Sequence, residues 1–223
     1  MPLPLVSVIC RALGGTCLER AVGSVQNQDY PNIQLVIVPM AGTRINHPAA
    51  IKVRRPLNRG EAAHLGLKRA KGDFINFLDE EDELLPHHVS TCLSALLKQQ
   101  EQRYKEDWRL VFSQTERMND RNIPSGIFPG VERDPGCLVP VFSPHSCLFN
   151  YSLLDKAKHD PFFKNAYADF DFWVQCYKQT NFLFLNQITS RSYPYQGPQW
   201  SLKESVKSEE RIKDKWPFIF TTC

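Results

Sequence analysis

The sequence has no Cys-x-x-Cys pair, and none of its seven cysteines (positions 10, 17, 92, 137, 147, 176 and 223) lies near a histidine at zinc-finger spacing. That argues against a thiol–disulfide redox motif and a structural zinc site. Long apolar runs are missing too, since nothing approaches the ~20 residues that span a bilayer. The opening MPLPLVSVICRALGG lacks the basic start and small-residue cleavage site of a signal peptide. Charge of one sign is scarce: 27 basic and 24 acidic residues leave +3, with no Lys/Arg block. Nucleic acid is therefore not an expected partner. An odd cysteine count in a chain of this length reads as reduced thiols, and the expectation is a soluble cytoplasmic protein. At 223 residues and 42% apolar content the chain can bury a core. Without repeats, low-complexity segments or a clear linker, it reads as one domain over 1–223, with halves at 1–112 and 113–223.

What is present is alternation. LVSVIC (5–10), IQLVIV (33–38) and DFINFL (73–78) are short apolar runs of the kind buried in a parallel sheet, and IKV (51–53) is a candidate for a further short strand. Between them, Leu18, Ala21, Val22 and Val25 repeat at i, i+3, i+4 and i+7, and RGEAAHLGLKRAKG reads as a helix closed by Gly72. Val89, Cys92, Leu93, Leu96 and Leu97 predict another helix after Pro86. The first hundred residues thus read as an α/β pattern with a sheet covered on both faces, whose ligands bind beyond the carboxyl ends of the strands. The second half is less regular. WRLVF (108–112), CLF (147–149) and NFLFLN (181–186) suggest strands, YADFDFWVQCYKQ (167–179) and SLKESVKSEERIKDKW suggest helices, and 118–136 reads as a long Pro/Gly loop able to close over a site.

At the end of the third strand five acids stand in a row, Asp79, Glu80, Glu81, Asp82 and Glu83. Two like charges ~4 Å apart repel by roughly 1 kcal/mol in water and about 4 kcal/mol near a protein surface. The row is therefore either a solvated acidic helix start or the rim of a cation site. His87 and His88 diverge on a helix and are expected in solvent rather than on one ion.

The order VSVIC, SVQNQDYPNIQLVIV, NRGEAAHLGLKRAKGDFINFLDEEDELLP over 5–97 resembles the glycosyltransferases of family 2, which have the GT-A nucleotide-diphospho-sugar transferase fold with a mostly parallel mixed sheet flanked by helices. SCLFNYSLLDKAKHDPFFKNAYADFDFWVQC (146–176) resembles that family's acceptor-side segment more weakly. The resemblance implies an inverting, metal-dependent transfer of a sugar from a nucleotide-sugar, most simply a UDP-sugar, to a hydroxyl of a glycan or glycolipid. The family's Asp-x-Asp motif falls on Asp79-Glu80-Glu81, which implies Mn²⁺ or Mg²⁺ held by Asp79 and Glu81. Asp169 falls where the family carries its general base. Arg11, Met40, Arg59, His64, Asp79 and Glu80 fall on the nucleotide-sugar side, and His145, Asp171 and Trp173 on the acceptor side.

The chain departs from the family pattern in several places. Cys10-Arg11-Ala12-Leu13 stands for Pro-x-Tyr-Asn, Met40-Ala41-Gly42-Thr43 for Asp-Asp-Gly-Ser, His64-Leu65 for Arg-Asn, and Ala168 for the Glu before the base. These departures motivate an alternative, a catalytically idle GT-A-like domain that serves as a binding or assembly partner. A metal-dependent nucleotidyltransferase is a third possibility. The aromatics Tyr193, Tyr195 and Trp200 read either as a sugar platform or as a packed C-terminal wall. The sequence leaves room for a peripheral membrane contact or a protein partner.

Overall fold

The computed structural model describes residues 2–101, 106–128, 142–195 and 202–220. Its strands are β1 (Val6–Ala12), β2 (Ile33–Pro39), β3 (Phe74–Asp79), β4 (Glu83–Leu84), β5 (Trp108–Met118), β6 (Pro124–Phe128), β7 (Cys147–Asn150) and β8 (Asn181–Ser192). The helices are α1 (Leu18–Gln26), α2 (Arg59–Arg69), α3 (His88–Glu101), α4 (Ala168–Tyr177), α5 (Leu202–Lys215) and the single turn α6 (Pro217–Phe220).

β1 is buried along its whole length because its alternate side chains enter two different apolar layers. Val6, Val8, Cys10 and Ala12 meet α1 and α3 through Ala21, Val25, Val89, Cys92, Leu93 and Leu96. Ile9 faces the other layer, where Ala62, Ala63 and Leu67 of α2 meet Phe172, Trp173 and Cys176 of α4. A strand with both faces covered needs no polar alternation, and the one polar residue of VSVIC, Ser7, is buried with its hydroxyl donating to Gln34 Oε1 at 2.6 Å. β1 pairs in parallel with β2 and β3, as the alternating first half requires. Beyond β3 the sheet order continues β7-β5-β8-β4, with β7 antiparallel to both neighbours and β8 parallel to β5. The result is the expected mixed α/β sheet flanked by helices. Strands from both sides of residue 112 share it, and β5 itself runs across that position.

Several local expectations are corrected. Residues 51–53 form no strand; the Ile51 N–H donates to the Ile37 carbonyl at 2.9 Å beside an isolated Ile37–Ala50 bridge. Gly72 does not close α2, which ends at Arg69. It lies against β1, where an added Cβ would come within 2.6 Å of the Ser7 nitrogen. Residues 118–128 are not open loop, because β6 folds back onto β5 as a hairpin; residues 129–136 lie outside the described residues. Trp173 is a core residue, 4% exposed and packed among Phe77, Phe142, Phe149 and Phe172. His88 is not in solvent. It is fully buried, its Nδ1 lies 2.7 Å from Thr189 Oγ1, and Asn76 Nδ2 lies 3.2 Å from its Nε2.

Burial, reinforced by His145 and His87, pushes the His88 imidazole down from 6.5 to about 3. In the unfolded chain it takes up a proton near pH 6.5; folded, it stays neutral until about pH 3. Stability carried by the neutral ring is therefore lost as pH falls through that window. Acid titration of unfolding free energy should show this slope, and His88→Gln should remove its share.

Candidate active site

The carboxyl ends of β1 and β3 place Arg11 beside Asp79, because the two are register partners and their side chains leave the sheet on the same face. Arg11 is 0% exposed. Its Nε donates to Asp79 Oδ1 at 2.8 Å and its Nη2 to Asp79 Oδ2 at 3.1 Å, while its Nη1 donates to Asp169 Oδ1 at 2.6 Å. Arg59 closes the arrangement from the opposite side: Nε donates to Asp169 Oδ2 at 2.9 Å and Nη2 donates to Asp79 Oδ2. Two guanidinium groups and two carboxylates thus form a closed ring of four charges. Burial opposes ionisation of Asp169, but Arg11 and Arg59 outweigh it and hold the carboxyl well below the usual carboxylate range. The same balance lowers Asp79.

The chain positions Arg59 with care. It is the first residue of α2, behind a capping box in which Asn58 Oδ1 accepts the Glu61 N–H at 3.0 Å and Glu61 returns the bond to the Asn58 N–H. The Arg59 N–H donates to Asn165 Oδ1 at 3.2 Å, and the Gly60 N–H to the Lys164 carbonyl at 2.9 Å. An added Cβ on Gly60 would stand 2.8 Å from the Phe163 carbonyl oxygen, so only glycine lets the start of α2 approach the segment that leads into α4. Gly60→Ala should cost about 1–3 kcal/mol in a denaturation experiment.

The row of acids after β3 divides into separate tasks. Glu80 turns away and accepts the Gly14 N–H at 2.8 Å, fastening the β1–α1 connection. Glu83 takes the Tyr193 hydroxyl at 2.9 Å. Asp82 accepts the Tyr193 N–H at 3.3 Å and lies 2.8 Å from His145 Nδ1. Glu81 has neither arginine bonded to its carboxyl group. Burial and the neighbouring Asp79 and Asp82 push that carboxyl up to about 8.

These groups open onto a cleft of ≈ 600 Å³ lined by Arg59, Asp79, Glu81, Asp82, His145 and Asp169, with further wall from Asn165, Tyr167, Phe170 and Tyr195. Sequence reasoning brought forward Arg59, Asp79, Glu81, His145 and Asp169, and the structure gathers them. It missed Asn165, Tyr167 and Phe170. Tyr167 stands at the start of α4 with φ of 61°, a conformation without a residue signature here. Of the aromatic trio, Tyr195 lines the cleft, Tyr193 stacks under the Arg20 guanidinium at 3.7 Å, and Trp200 lies outside the described residues.

Other expected site residues lie elsewhere. Arg11 sits beneath the cleft rather than in its wall. Met40 is buried in the core layer at the end of β2. His64 lines a separate cavity of ≈ 220 Å³ with His159 and Phe163. Asp171 is fully buried and points at the C-terminal helices, binding Lys215 Nζ, the Trp216 indole N–H and Gln175. It is a structural anchor, as Trp173 is a core residue.

Among the described residues no three His, Cys, Asp or Glu side chains converge as a metal cage. Asp79 does not fit the expected ligand role, because both its oxygens already accept guanidinium N–H groups. Glu81 does fit: it faces the cleft, and two nearby carboxylates make a cation welcome there. One carboxylate with phosphate oxygens and water is a usual environment for Mg²⁺.

No protein-family profile matches the chain. A Haemophilus influenzae protein described as an uncharacterized glycosyltransferase is 32% identical over 44% of this chain and 44% of its own length. A Campylobacter jejuni GalNAc(5)-diNAcBac-PP-undecaprenol beta-1,3-glucosyltransferase is 25% identical over 81% of this chain and 62% of its own length. Among solved structures, Staphylococcus aureus TarS residues 1–349 in complex with UDP-GlcNAc superimposes with a TM-score of 0.68 at 15% identity, over 95% of this chain and 66% of that one. The fold is a glycosyltransferase fold. A UDP complex of the same TarS fragment agrees, with a TM-score of 0.67 at 14% identity over 94% of this chain and 72% of that one. The chain spans less than two thirds of the length of the curated relatives it matches. No helix among the described residues is long and apolar enough to cross a membrane.

Proposed function

We propose that the cleft transfers a sugar from a nucleotide-sugar, in the first instance a UDP-sugar, to a hydroxyl of a glycan or lipid-linked glycan, with inversion at the anomeric carbon. The observation that carries this reading is the meeting in one cleft of a carboxylate suited to a cation, Glu81, and a second carboxylate, Asp169. The relatives named above support the substrate classes. A divalent cation held by Glu81 would neutralise charge developing on the leaving diphosphate. Arg59, in the same cleft, would add a guanidinium to those oxygens, and Asp169 takes the proton of the acceptor hydroxyl as its oxygen bonds to the anomeric carbon. The bond from that carbon to the diphosphate breaks, and its electron pair leaves with the nucleotide. A single displacement of this kind needs one positioned base and no covalent intermediate.

The test is a thermal-shift screen of UDP, GDP, CMP and dTDP with and without Mn²⁺. A ligand at 100 times its Kd adds about 2.7 kcal/mol of stability. UDP with Mn²⁺ should raise the melting temperature, and Glu81→Gln should abolish the Mn²⁺ requirement together with most of the shift. A second reading, a catalytically idle domain, draws on the same ring of charges, since Asp79 and Asp169 are both held by arginines. That reading predicts no response to any of the four nucleotides.

A further inference from the structure

The two arginines of the charged ring differ in one respect that matters. Arg11 is 0% exposed and packed 5.2 Å from the Phe77 ring centre, so it has no route to another partner. The Arg59 side chain is 15% exposed and forms part of the cleft wall. Its bonds to Asp79 and Asp169 use Nε and Nη2, and none of them uses Nη1. The two oxygens of Asp169 are divided between them, Oδ1 to Arg11 and Oδ2 to Arg59. One oxygen is thus held by a fixed guanidinium and the other by a guanidinium that can change partner. A diphosphate carries more negative charge than a carboxylate and matches the guanidinium fork.

We propose that Arg59 is an exchangeable latch: in the empty cleft it covers Asp169 Oδ2, and the diphosphate of an arriving donor draws it away and uncovers that oxygen for the acceptor hydroxyl. The inference rests on the donor reading above and deepens it. Donor occupancy and readiness of the base become one event. A hydroxyl compound that enters first meets a carboxylate whose two oxygens are already taken. Arg11 stays in place throughout and keeps Asp169 oriented through Oδ1. The titratable groups facing Asp169 are Arg11 from β1, Arg59 from α2, Asp79 from β3 and His159, which burial keeps neutral, from the segment before α4.

The experiment follows the Arg59 Nε–H by ¹⁵N NMR while UDP and diamagnetic Mg²⁺ are added, and measures UDP affinity by calorimetry for the wild type, Arg59→Lys and Arg59→Gln. The expected result is a UDP-dependent displacement of the Arg59 signal, absent on adding Mg²⁺ alone. Alongside it, UDP affinity should fall about tenfold or more in Arg59→Gln and recover only in part in Arg59→Lys, which keeps the charge without the fork. If UDP binds and the Arg59 signal stays where it was, the latch is overturned while the donor reading stands. If UDP does not bind the wild type at all, both are overturned. Arg59→Lys keeps the charge and the helix start, so it guards against a fold loss being read as a binding effect. A purely structural arginine would not answer to UDP in the NMR titration.

Discussion

Asp169→Asn should cut donor turnover, read as UDP released from a UDP-sugar, by about 10²- to 10⁴-fold, the contribution typical of a positioned general base. Asparagine keeps the shape and can still accept one guanidinium N–H, so the cleft should persist. It cannot take a proton from a hydroxyl. UDP binding should be intact or tighter in this variant, because Arg59 loses the charged partner that competes with phosphate. Calorimetry with UDP and Mn²⁺ separates the two effects. Turnover like that of the wild type would remove Asp169 from the role of base.

The second large effect concerns stability. Arg11→Met should destabilise the protein by about 3–5 kcal/mol, the usual consequence of leaving a buried charge without its partner. In a chain of this size that lowers the melting temperature by about 10 °C. Arg11 serves two carboxylates at once through three nitrogens, and a lysine, with a single ammonium group, should rescue little of the loss. The sign of the pH dependence follows from the lowered pKa values of Asp79 and Asp169. Stability from depressed carboxyl groups is present above their ordinary pKa of 3.8 and lost as pH falls towards their folded values. The deficit of Arg11→Met should therefore be full near pH 7 and shrink below about pH 4 as the carboxyl groups protonate. A deficit that does not change with pH would point to packing rather than charge.

Much of the frame was legible because it rests on local periodicity. VSVIC, IQLVIV and DFINFL announce buried parallel strands, and Leu18, Ala21, Val22 and Val25 announce a helix face, through spacing alone. What failed depends on contacts between distant residues. Arg11 looked like a missing donor-binding motif, yet β1 and β3 set it in register with Asp79 and turn it into the buried half of a charge ring. Asp171 and Asp169 are two residues apart on the same helix, and only packing shows that one meets the cleft while the other meets Lys215 and Trp216. His88 reads as solvent-facing from its divergence from His87 on a helix; Asn76 and Thr189 supply a buried polar niche from β3 and β8. The row of acids resolves only in three dimensions: Glu80 fastens a loop, Glu83 and Asp82 hold Tyr193, and Glu81 faces the cleft without an arginine.

Two distinct electrostatic settings for two motif acids form the centre of this account. Asp79 is satisfied by arginines, and Glu81 is left for a cation and the phosphates that come with it. The most direct measurement is a crystal structure grown with UDP and Mn²⁺, with the ion located by anomalous scattering. The account predicts Mn²⁺ on the Glu81 carboxylate, the diphosphate between it and Arg59, and Asp79 still bonded to Arg11. Mn²⁺ bound to Asp79 with the arginines displaced, or a nucleotide lying outside the cleft, would contradict it.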